Sequence, residues 1–313
     1  MLQVFSDRRC ARHQAPPGYP ERRERLEGVL AGLTAAGREV REAGEHPGAG
    51  DAIAAVHEPA YVARFRRAVE RGDGLLDSAD NPLSAGAWEA AWAAVEVVLH
   101  AADWVAGGER RSAFTALRPP GHHAERGLAM GFCYFNNVAV AAEYLRRRHR
   151  VERLAIFDFD VHHGNGTQHL FEERADVFYA STHQYPFYPG TGAASERGRG
   201  AGEGATLNVP LPAGTGDEGY RQALLLQVLP ALRAFRPGAL LLSAGFDAWR
   251  SDPLAGMRVS EEGFADWGEH LGRLAAEVCE GRLLAVLEGG YDLGALPRLV
   301  TGHLAGLERG LGD

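Results

Sequence analysis

Short apolar segments alternate with longer helical segments along the whole chain, and this alternation constrains the fold more than any other feature. Apolar runs predict strands at Leu2–Phe5, Ala113–Leu117, Leu154–Asp158, Val177–Ser181, Thr206–Val209, Ala239–Ser243 and Leu283–Leu287. Helical periodicity predicts helices at Glu21–Ala35, Pro59–Glu70, Ser84–Val105, Asn137–Arg148, Glu218–Phe235 and Glu261–Cys279. This order is typical of an α/β protein with a central parallel sheet flanked by helices on both faces. We expect one domain over residues 1–313, since neither a repeat nor an interdomain linker interrupts the pattern.

The composition excludes a disordered chain and a nucleic-acid binder of the basic-patch type. The 313 residues carry a formal net charge of −8, with 45% hydrophobic and 24% charged residues, as is usual for a globular protein. The 33 basic residues are all arginine and are scattered, so we expect no nucleic acid as a partner. The absence of lysine favours a coding bias over heat adaptation, because arginine enrichment is not the general signal of hyperthermophiles.

Cysteine usage and hydropathy predict a cytoplasmic protein without a membrane partner. Three cysteines lie far apart and form no Cys-x-x-Cys pair, which fits a reducing compartment. The N-terminal sequence MLQVFSDRRC lacks the apolar segment of a signal peptide. The long apolar window Trp88–Val105 predicts an amphipathic helix rather than a membrane span, because it contains Glu89, Glu96 and Asp103. The sequence is compatible with a homo-oligomer but does not specify one.

Four predicted strands run into polar or glycine-rich segments at their carboxyl ends. These segments are RPPGHHAERG at 118–127, DFDVHHGNGTQ at 158–168, SAGFDAWRSDP at 243–253 and LEGGYDLG at 287–294. In open parallel sheets, ligands bind in the crevice beyond the carboxyl ends of the strands. We therefore expect the four segments to converge on one site.

The segment at 158–168 contains candidate metal ligands. In an extended segment, Asp158, Asp160 and His162 would point to the same side. Two carboxylates and an imidazole buried together are costly unless they are compensated, and a divalent metal or a satisfied polar cluster would compensate them. Asp247 is a candidate third ligand, or alternatively a helix cap or an ion-pair partner. Two ligands from one segment and a distant carboxylate would leave the open coordination position that catalytic zinc requires.

The adjacent His122 and His123 are candidates for general acid–base catalysis. Each would need an orienting acceptor, and Asp158 and Asn165 are available for this role. The alternative is a turn with two surface histidines. Tyr291 follows two glycines, which allow the backbone to approach a ligand closely. Its hydroxyl could donate to a developing oxyanion, or it could be a core tyrosine.

A series of motifs resembles the histone deacetylase superfamily, in particular its class II branch and its bacterial deacetylase-like amidohydrolases. The motifs, in the order of the family, are RPPGHHA (118–124), GFCYFNN (131–137), DFDVHHGNGTQ (158–168), PGTG (189–192), NVPL (208–211), SAGFDA (243–248), DPL (252–254) and LEGGYDL (287–293). The resemblance covers about residues 13–305. It implies a single arginase-like α/β domain and a zinc-dependent deacetylase that acts on acetylated lysine peptides or small acetylated amines.

The resemblance also implies roles for the residues that match these motifs. It assigns one catalytic zinc ion to Asp160, His162 and Asp247. His123 would be the general base and acid, and His122 the neighbouring electrostatic histidine. The acceptors behind them would be Asp158 for His122 and Asn165 for His123, and Asn165 follows the class II pattern. Tyr291 would stabilise the transition state, and a potassium ion would be held by Asp158, Ser181 and the backbone carbonyls of Asp160, His162 and Thr182.

Other matching positions would form the substrate tunnel, namely Gly131, Phe132, Tyr188 and Leu254. Phe132 and Tyr188 correspond to its two aromatic walls, and Tyr188 departs from the commoner phenylalanine. The rim would include the segment Arg71–Pro82, in which either Asp77 or Asp80 could hold a peptide backbone. His13 and Glu21 match the family's first active-site loop loosely.

Three alternatives are weighed against a lysine deacetylase. A two-manganese arginase-like enzyme is disfavoured, because Gly164 stands where a further aspartate is needed. An acetylpolyamine amidohydrolase would use the same machinery, but Leu254 occupies a position where polyamine-selective relatives can carry glutamate. A non-catalytic acyl-ligand-binding or scaffold protein would lack a zinc ligand or Tyr291, and none is missing here.

Overall fold

An eight-stranded sheet forms the centre of the molecule in the computed structural model, which describes residues 2–108 and 111–312. Its strands are β1 (Leu2–Ser6), β2 (Val40–Glu42), β3 (Ser112–Ala116), β4 (Leu154–Asp158), β5 (Val177–Gln184), β6 (Thr206–Leu211), β7 (Ala239–Ala244) and β8 (Leu283–Leu287). They lie in the order β2-β1-β3-β8-β7-β4-β5-β6, and every neighbouring pair is parallel. The predicted strands all form. The additional strand β2 was not predicted, because its three residues contain no apolar run.

Helices lie between these strands along the chain, and the last helix follows β8. They are α1 (Arg23–Ala35), α2 (Ala49–Val56), α3 (Pro59–Arg71), α4 (Ala87–Ala106), α5 (Asn137–His149), α6 (Asn165–Phe171), α7 (Asp217–Ala223), α8 (Leu229–Phe235), α9 (Glu261–Cys279) and α10 (Leu296–Leu311). The single helix predicted at Glu218–Phe235 is instead interrupted by a π-helical segment at Leu224–Val228. Helices α2, α6 and α10 were not predicted.

The sheet is covered on both faces, as the sequence pattern predicts. Every residue of β1, β3, β4, β5, β7 and β8 is buried, which requires packing on both sides of the strands. Helices α2 to α5 pack on one another, while α1 and α7 to α10 form a second group. The prediction of an α/β fold with a parallel sheet flanked by helices is confirmed.

Helix α4 differs from the amphipathic helix that was expected. Most of its residues are buried, including Glu96, which is 3% exposed. Glu96 forms an ion pair with Arg9 at 2.9 Å and accepts a hydrogen bond from the backbone N–H of His46 at 3.1 Å. The acidic residue therefore compensates buried polar groups rather than facing solvent. No helix within residues 2–108 and 111–312 has the length and hydropathy needed to span a bilayer.

Helices α9 and α10 pack unusually closely, because glycines line their contact. A Cβ atom on Gly268 or Gly272 of α9 would collide with backbone atoms of α10. A Cβ atom on Gly306 or Gly310 of α10 would likewise collide with backbone atoms of α9. The close approach explains why glycines are found inside α10 although they lower its helix propensity.

The order of the strands determines where the functional segments meet. Strands β3, β8, β7 and β4 are consecutive neighbours in the sheet. All are parallel, so their carboxyl ends lie at one edge. The four polar or glycine-rich segments that follow these strands therefore converge, as predicted from the topology.

Candidate active site

A buried cluster of two carboxylates and one imidazole lies beyond β4 and β7. One ligand atom from each of Asp160, His162 and Asp247 lies within 4.8 Å of the other two. The Nδ1 atom of His162 is 3.1 Å from Oδ1 of Asp160 and 3.1 Å from Oδ2 of Asp247. All three residues are buried. These are the sequence candidates for metal ligands, and the structure brings them together.

Asp158 does not join this cluster, contrary to the expectation that it shares a face with Asp160 and His162. Strand β4 ends at Asp158, so the alternation of an extended strand does not continue to the later residues. The Asp158 carboxylate instead accepts a hydrogen bond from the backbone N–H of Asp160 at 3.1 Å, and it lies beside His122.

The surrounding backbone holds the two carboxylates of the cluster in place. Oδ1 of Asp247 accepts the N–H of Val161 at 2.8 Å, and Oδ2 of Asp160 accepts the N–H of Gly289 at 2.8 Å. A Cβ atom on Gly245 or Gly289 would collide with these carboxylates. Both glycines are therefore needed for the close approach of β7 and β8 to the cluster.

The two adjacent histidines have different acceptors, as the sequence suggested. His122 Nδ1 lies 3.0 Å from Oδ2 of Asp158, and His123 Nδ1 lies 2.7 Å from Oδ1 of Asn165. Burial disfavours a charge on His122, but the carboxylates of Asp158 and Asp160 outweigh it and raise the pKa to about 10. Burial lowers the pKa of His123 well below its ordinary value, and the nearby His122 adds to this effect. The pair therefore combines a charged imidazole with a neutral one.

Tyr291 belongs to the same site, because it lines one cavity together with His123 and His162. Its backbone N–H donates to Oδ2 of Asp252 at 2.7 Å, and the guanidinium of Arg25 stands 4.8 Å from the centre of its ring. Burial raises the pKa of the Tyr291 phenol well above its ordinary value. The hydroxyl therefore stays protonated and can donate a hydrogen bond.

A cavity of about 220 Å³ leads from the surface to the cluster. The residues that line it are Asp80, His123, Gly131, Phe132, His162, Phe187, Tyr188, Leu254 and Tyr291. All four residues that the family resemblance assigns to the tunnel are among them. The ring of Tyr188 meets that of His123 edge-on, with 5.2 Å between the ring centres. The cavity is thus an aromatic passage that reaches His123 and the cluster residue His162.

The two candidate rim aspartates have different surroundings. Asp80 lines the cavity, and its Oδ2 accepts hydrogen bonds from the Tyr188 hydroxyl at 2.8 Å and from the Gly131 N–H at 3.1 Å. Asp77 instead pairs with Arg64 at 2.8 Å and accepts the N–H of a residue in the neighbouring loop. Of the two, only Asp80 is oriented towards the passage.

The candidate potassium ligands lie on neighbouring strands behind His122. Asp158 of β4 is the direct partner of Ser181 of β5 in the parallel ladder. The Ser181 hydroxyl lies 2.8 Å from Nδ1 of His183. The Thr182 hydroxyl is buried without a hydrogen-bond partner among the described residues. The side chains expected at this site are therefore brought together.

His13 and Glu21 do not line the cavity. Glu21 forms a bidentate ion pair with the fully buried Arg118, at 2.9 and 2.7 Å. It forms a second ion pair with Arg25 at 3.3 Å. His13 lies 2.9 Å from the hydroxyl of Ser84. This first loop therefore supports the site from behind.

Sequence reasoning missed several residues that contribute to the site. Phe187 stacks on the ring of His162 at 5.5 Å, and Tyr19 meets Phe132 edge-on at 5.3 Å. Phe187 directly precedes Tyr188, and this adjacency in the sequence could have indicated it. Glu288 lies within LEGGYDL, of which the sequence pattern singles out only Tyr291.

Together, the parallel sheet and the buried cluster at its carboxyl edge define an α/β protein with a candidate metal-dependent active site. Residues 19–307 match the family model of the histone deacetylase domain. The chain belongs to the histone deacetylase family.

Individual relatives of this chain are described as deacetylases or amidohydrolases. The chain is 38% identical over 301 residues to a probable deacetylase of Archaeoglobus fulgidus, covering 95% of this chain and 83% of the relative. It is 41% identical over 281 residues to a histone deacetylase-like amidohydrolase of Pseudomonas aeruginosa. This match covers 89% of this chain and 73% of the relative. The crystal structure of an acetylpolyamine aminohydrolase from Burkholderia pseudomallei superposes with a TM-score of 0.87 at 32% identity, covering 98% of this chain and 99% of that one. The protein is a hydrolase of this family.

Proposed function

We propose that the protein is a zinc-dependent amidohydrolase that removes acetyl groups from lysine side chains or related amines and releases acetate. The observation that carries this proposal is the meeting of three groups at the inner end of one aromatic passage. These groups are the cluster of Asp160, His162 and Asp247, the neutral His123 and the protonated Tyr291.

The donor set fits zinc. Two buried carboxylates beside an imidazole need a compensating cation, and nitrogen and oxygen donors are ligands that zinc accepts. Asp160, His162 and Asp247 would hold the ion. When bound, zinc supplies Lewis-acid chemistry, because it polarises a carbonyl oxygen and acidifies water.

The histidines would divide the proton transfer and the electrostatic work. Because Nδ1 of His123 donates to the amide oxygen of Asn165, its Nε2 carries a lone pair that can accept a proton from the attacking water. His123 would then deliver this proton to the leaving amine. His122 is held in the charged form by Asp158 and would stabilise negative charge. Environments that shift neighbouring pKa values in opposite directions are typical of such divided roles.

Tyr291 would donate its hydroxyl hydrogen to the developing oxyanion. Gly131, Phe132, Tyr188 and Leu254 would enclose the acyl-bearing chain of the substrate. Asp80 would meet the polar part of the substrate at the rim, since it lines the passage. We also propose a potassium ion between Asp158 and Ser181, and one deacetylase domain over residues 1–313 located in the cytoplasm.

An acetylpolyamine amidohydrolase is the second candidate. It is supported by the similarity to the aminohydrolase structure, which covers nearly the whole of both chains. Leu254 in the cavity lining argues for an acyl-lysine substrate, because this apolar side chain stands where polyamine-selective relatives can carry glutamate.

The test measures zinc content and acetate release from an acetyl-lysine peptide and from an acetylpolyamine, with and without a chelator. Because the chain contains no lysine, its own side chains cannot supply acetate. We expect one zinc per chain and peptide turnover that the chelator abolishes and zinc restores. Turnover of the polyamine alone would favour the second candidate. No turnover of either substrate by the zinc-loaded protein would refute the proposal and favour a ligand-binding or scaffold role.

A pair of variants tests the zinc ligands. Asp247→Asn should lose zinc and turnover together. The matched control is Asp51→Asn, because Asp51 is exposed in the first turn of α2 and should keep both.

A further inference from the structure

Glu288 is a buried carboxyl group that has none of the roles proposed above. It directly follows β8, and its side chain is fully buried. Its Oε2 accepts hydrogen bonds from the backbone N–H groups of Gly121 at 2.6 Å and His122 at 3.2 Å. Its Oε1 is buried and has no hydrogen-bond partner among the residues that the structure describes. One oxygen of the carboxyl group thus accepts hydrogen bonds from two successive amides of the histidine segment.

The backbone at Glu288 is itself fixed to other parts of the site. The carbonyl of Glu288 accepts a hydrogen bond from Nη2 of Arg25 at 2.5 Å. The following residue, Gly289, donates its N–H to Asp160 at 2.8 Å. Tyr291 lies two residues further along the same segment. The end of β8 therefore connects the histidine segment with a cluster carboxylate and with the tyrosine.

The sequence of the histidine segment explains why an acceptor is needed at this point. Pro119 and Pro120 have no N–H groups, so Gly121 and His122 provide the first amides after Arg118 by which the segment can be held. A buried amide left without an acceptor costs about 1–3 kcal/mol.

We propose that Glu288 is a positioning residue, whose side-chain carboxyl group fixes the backbone at Gly121 and His122 and thereby sets the positions of the His122 and His123 imidazoles. This inference rests on the proposed deacetylase function. A misplacement of about 1 Å can cost about 10²-fold in rate. Loss of the hydrogen bonds between Glu288 and these two amides should therefore lower kcat and leave KM unchanged.

The test compares Glu288→Gln and Glu288→Asp with the wild type. Glutamine keeps an oxygen at the same reach, so it should retain most of the wild-type kcat. Aspartate keeps the carboxyl group but is one methylene shorter, so kcat should fall by about 10²-fold with KM and zinc content unchanged. Hydrogen exchange of the Gly121 and His122 amides, measured by NMR, should be slow in the wild type and in Glu288→Gln, and faster in Glu288→Asp.

Gly306→Ala is the control for a general loss of stability, because it disturbs the contact between α9 and α10 away from the site. At a comparable loss of thermal stability, it should keep the wild-type kcat. The proposal is overturned if Glu288→Asp keeps the wild-type kcat and slow amide exchange, if Glu288→Gln is impaired as strongly as Glu288→Asp, or if Gly306→Ala loses kcat to the same degree. If Glu288→Asp does not fold, Glu288→Gln decides, because slow exchange and most of the wild-type kcat are then both required. If the wild-type protein shows no turnover, the deacetylase function is refuted. The exchange rates of the Gly121 and His122 amides in the variants would still test whether Glu288 holds this backbone.

Discussion

The Nδ1 atom of His123 lies 2.7 Å from the amide oxygen of Asn165. Its neighbour His122 faces a carboxylate instead, at 3.0 Å from Asp158. A neutral acceptor fixes the tautomer of an imidazole and stabilises its charged form less than a carboxylate does. The choice of an amide at position 165 therefore leaves His123 available to accept a proton.

Asn165→Asp should shift the pH dependence of catalysis. A carboxylate beside His123 stabilises the imidazolium and raises its pKa, by about 1–3 units for a close opposite charge. A base must be unprotonated to act, so the acid limb of the kcat/KM profile should move to higher pH. The measurement is kcat/KM across pH for both proteins. An unchanged acid limb would contradict the assignment of His123 as the base.

The variant also places two carboxylates together, because Asn165 donates its side-chain N–H to Glu125 at 2.6 Å. Glu125→Gln in the Asn165→Asp background removes this repulsion. The shift of the acid limb should persist in the double variant, since it originates from the carboxylate at position 165.

Tyr291→Phe should fold and bind zinc but turn over slowly. The substitution removes one hydroxyl oxygen from the passage, and loss of an oxyanion donor typically costs about 10²–10³-fold in kcat. The matched control is Tyr220→Phe, because the buried Tyr220 hydroxyl has no partner among the described residues and Tyr220 does not line the cavity. The control should keep the wild-type kcat. Near wild-type turnover by Tyr291→Phe would exclude the proposed role.

The central part of the fold can be predicted from the sequence, because buried parallel strands need continuous apolar runs. Helix α10 cannot, since Gly302, Gly306 and Gly310 lower its helix propensity. Packing against α9 overrides this local preference. A pattern of residues along one segment does not reveal that a helix forms because of its neighbour.

The candidate site likewise has one part that the sequence predicts and another that it does not. The cluster residues follow strands whose carboxyl ends must meet, so topology alone brings Asp160 and Asp247 together. Asp77 and Asp80 belong to one short loop, and only its path in space directs Asp80 to the passage and Asp77 to Arg64. Composition and spacing hold no information about that path.

Glu21→Gln should destabilise the protein at neutral pH. Burial opposes ionisation of Glu21, but Arg118 and Arg25 outweigh it and lower its pKa to about 2. The neutral variant leaves these two buried guanidinium groups without their carboxylate. We expect the free energy of unfolding to fall by about 3 kcal/mol, which urea unfolding would measure.

The same ion pairs predict how this difference depends on pH. The folded pKa of Glu21 lies below its ordinary value of 4.5, so the contribution is complete above about pH 4.5 and is lost as the pH falls towards about 2. The difference in unfolding free energy between the two proteins should shrink over this range. Acid-induced metal loss affects both proteins and cancels in the comparison. A difference that stays constant would show that Glu21 stabilises the fold by something other than its charge.

Gly306→Ala should destabilise the contact between α9 and α10. The added methyl group would overlap the backbone carbonyl of Ala265, which cannot move without displacing α9. Overpacking of this kind typically costs about 1–3 kcal/mol, and thermal unfolding would measure it. The matched control is Gly302→Ala on the same helix, where the nearest atom to the new methyl group would be the Glu261 side chain at 3.9 Å. There alanine gains helix propensity without a collision, so it should stabilise the protein by up to about 1 kcal/mol. Equal effects of the two substitutions would mean that propensity, and not the close approach of the helices, determines the glycine positions in α10.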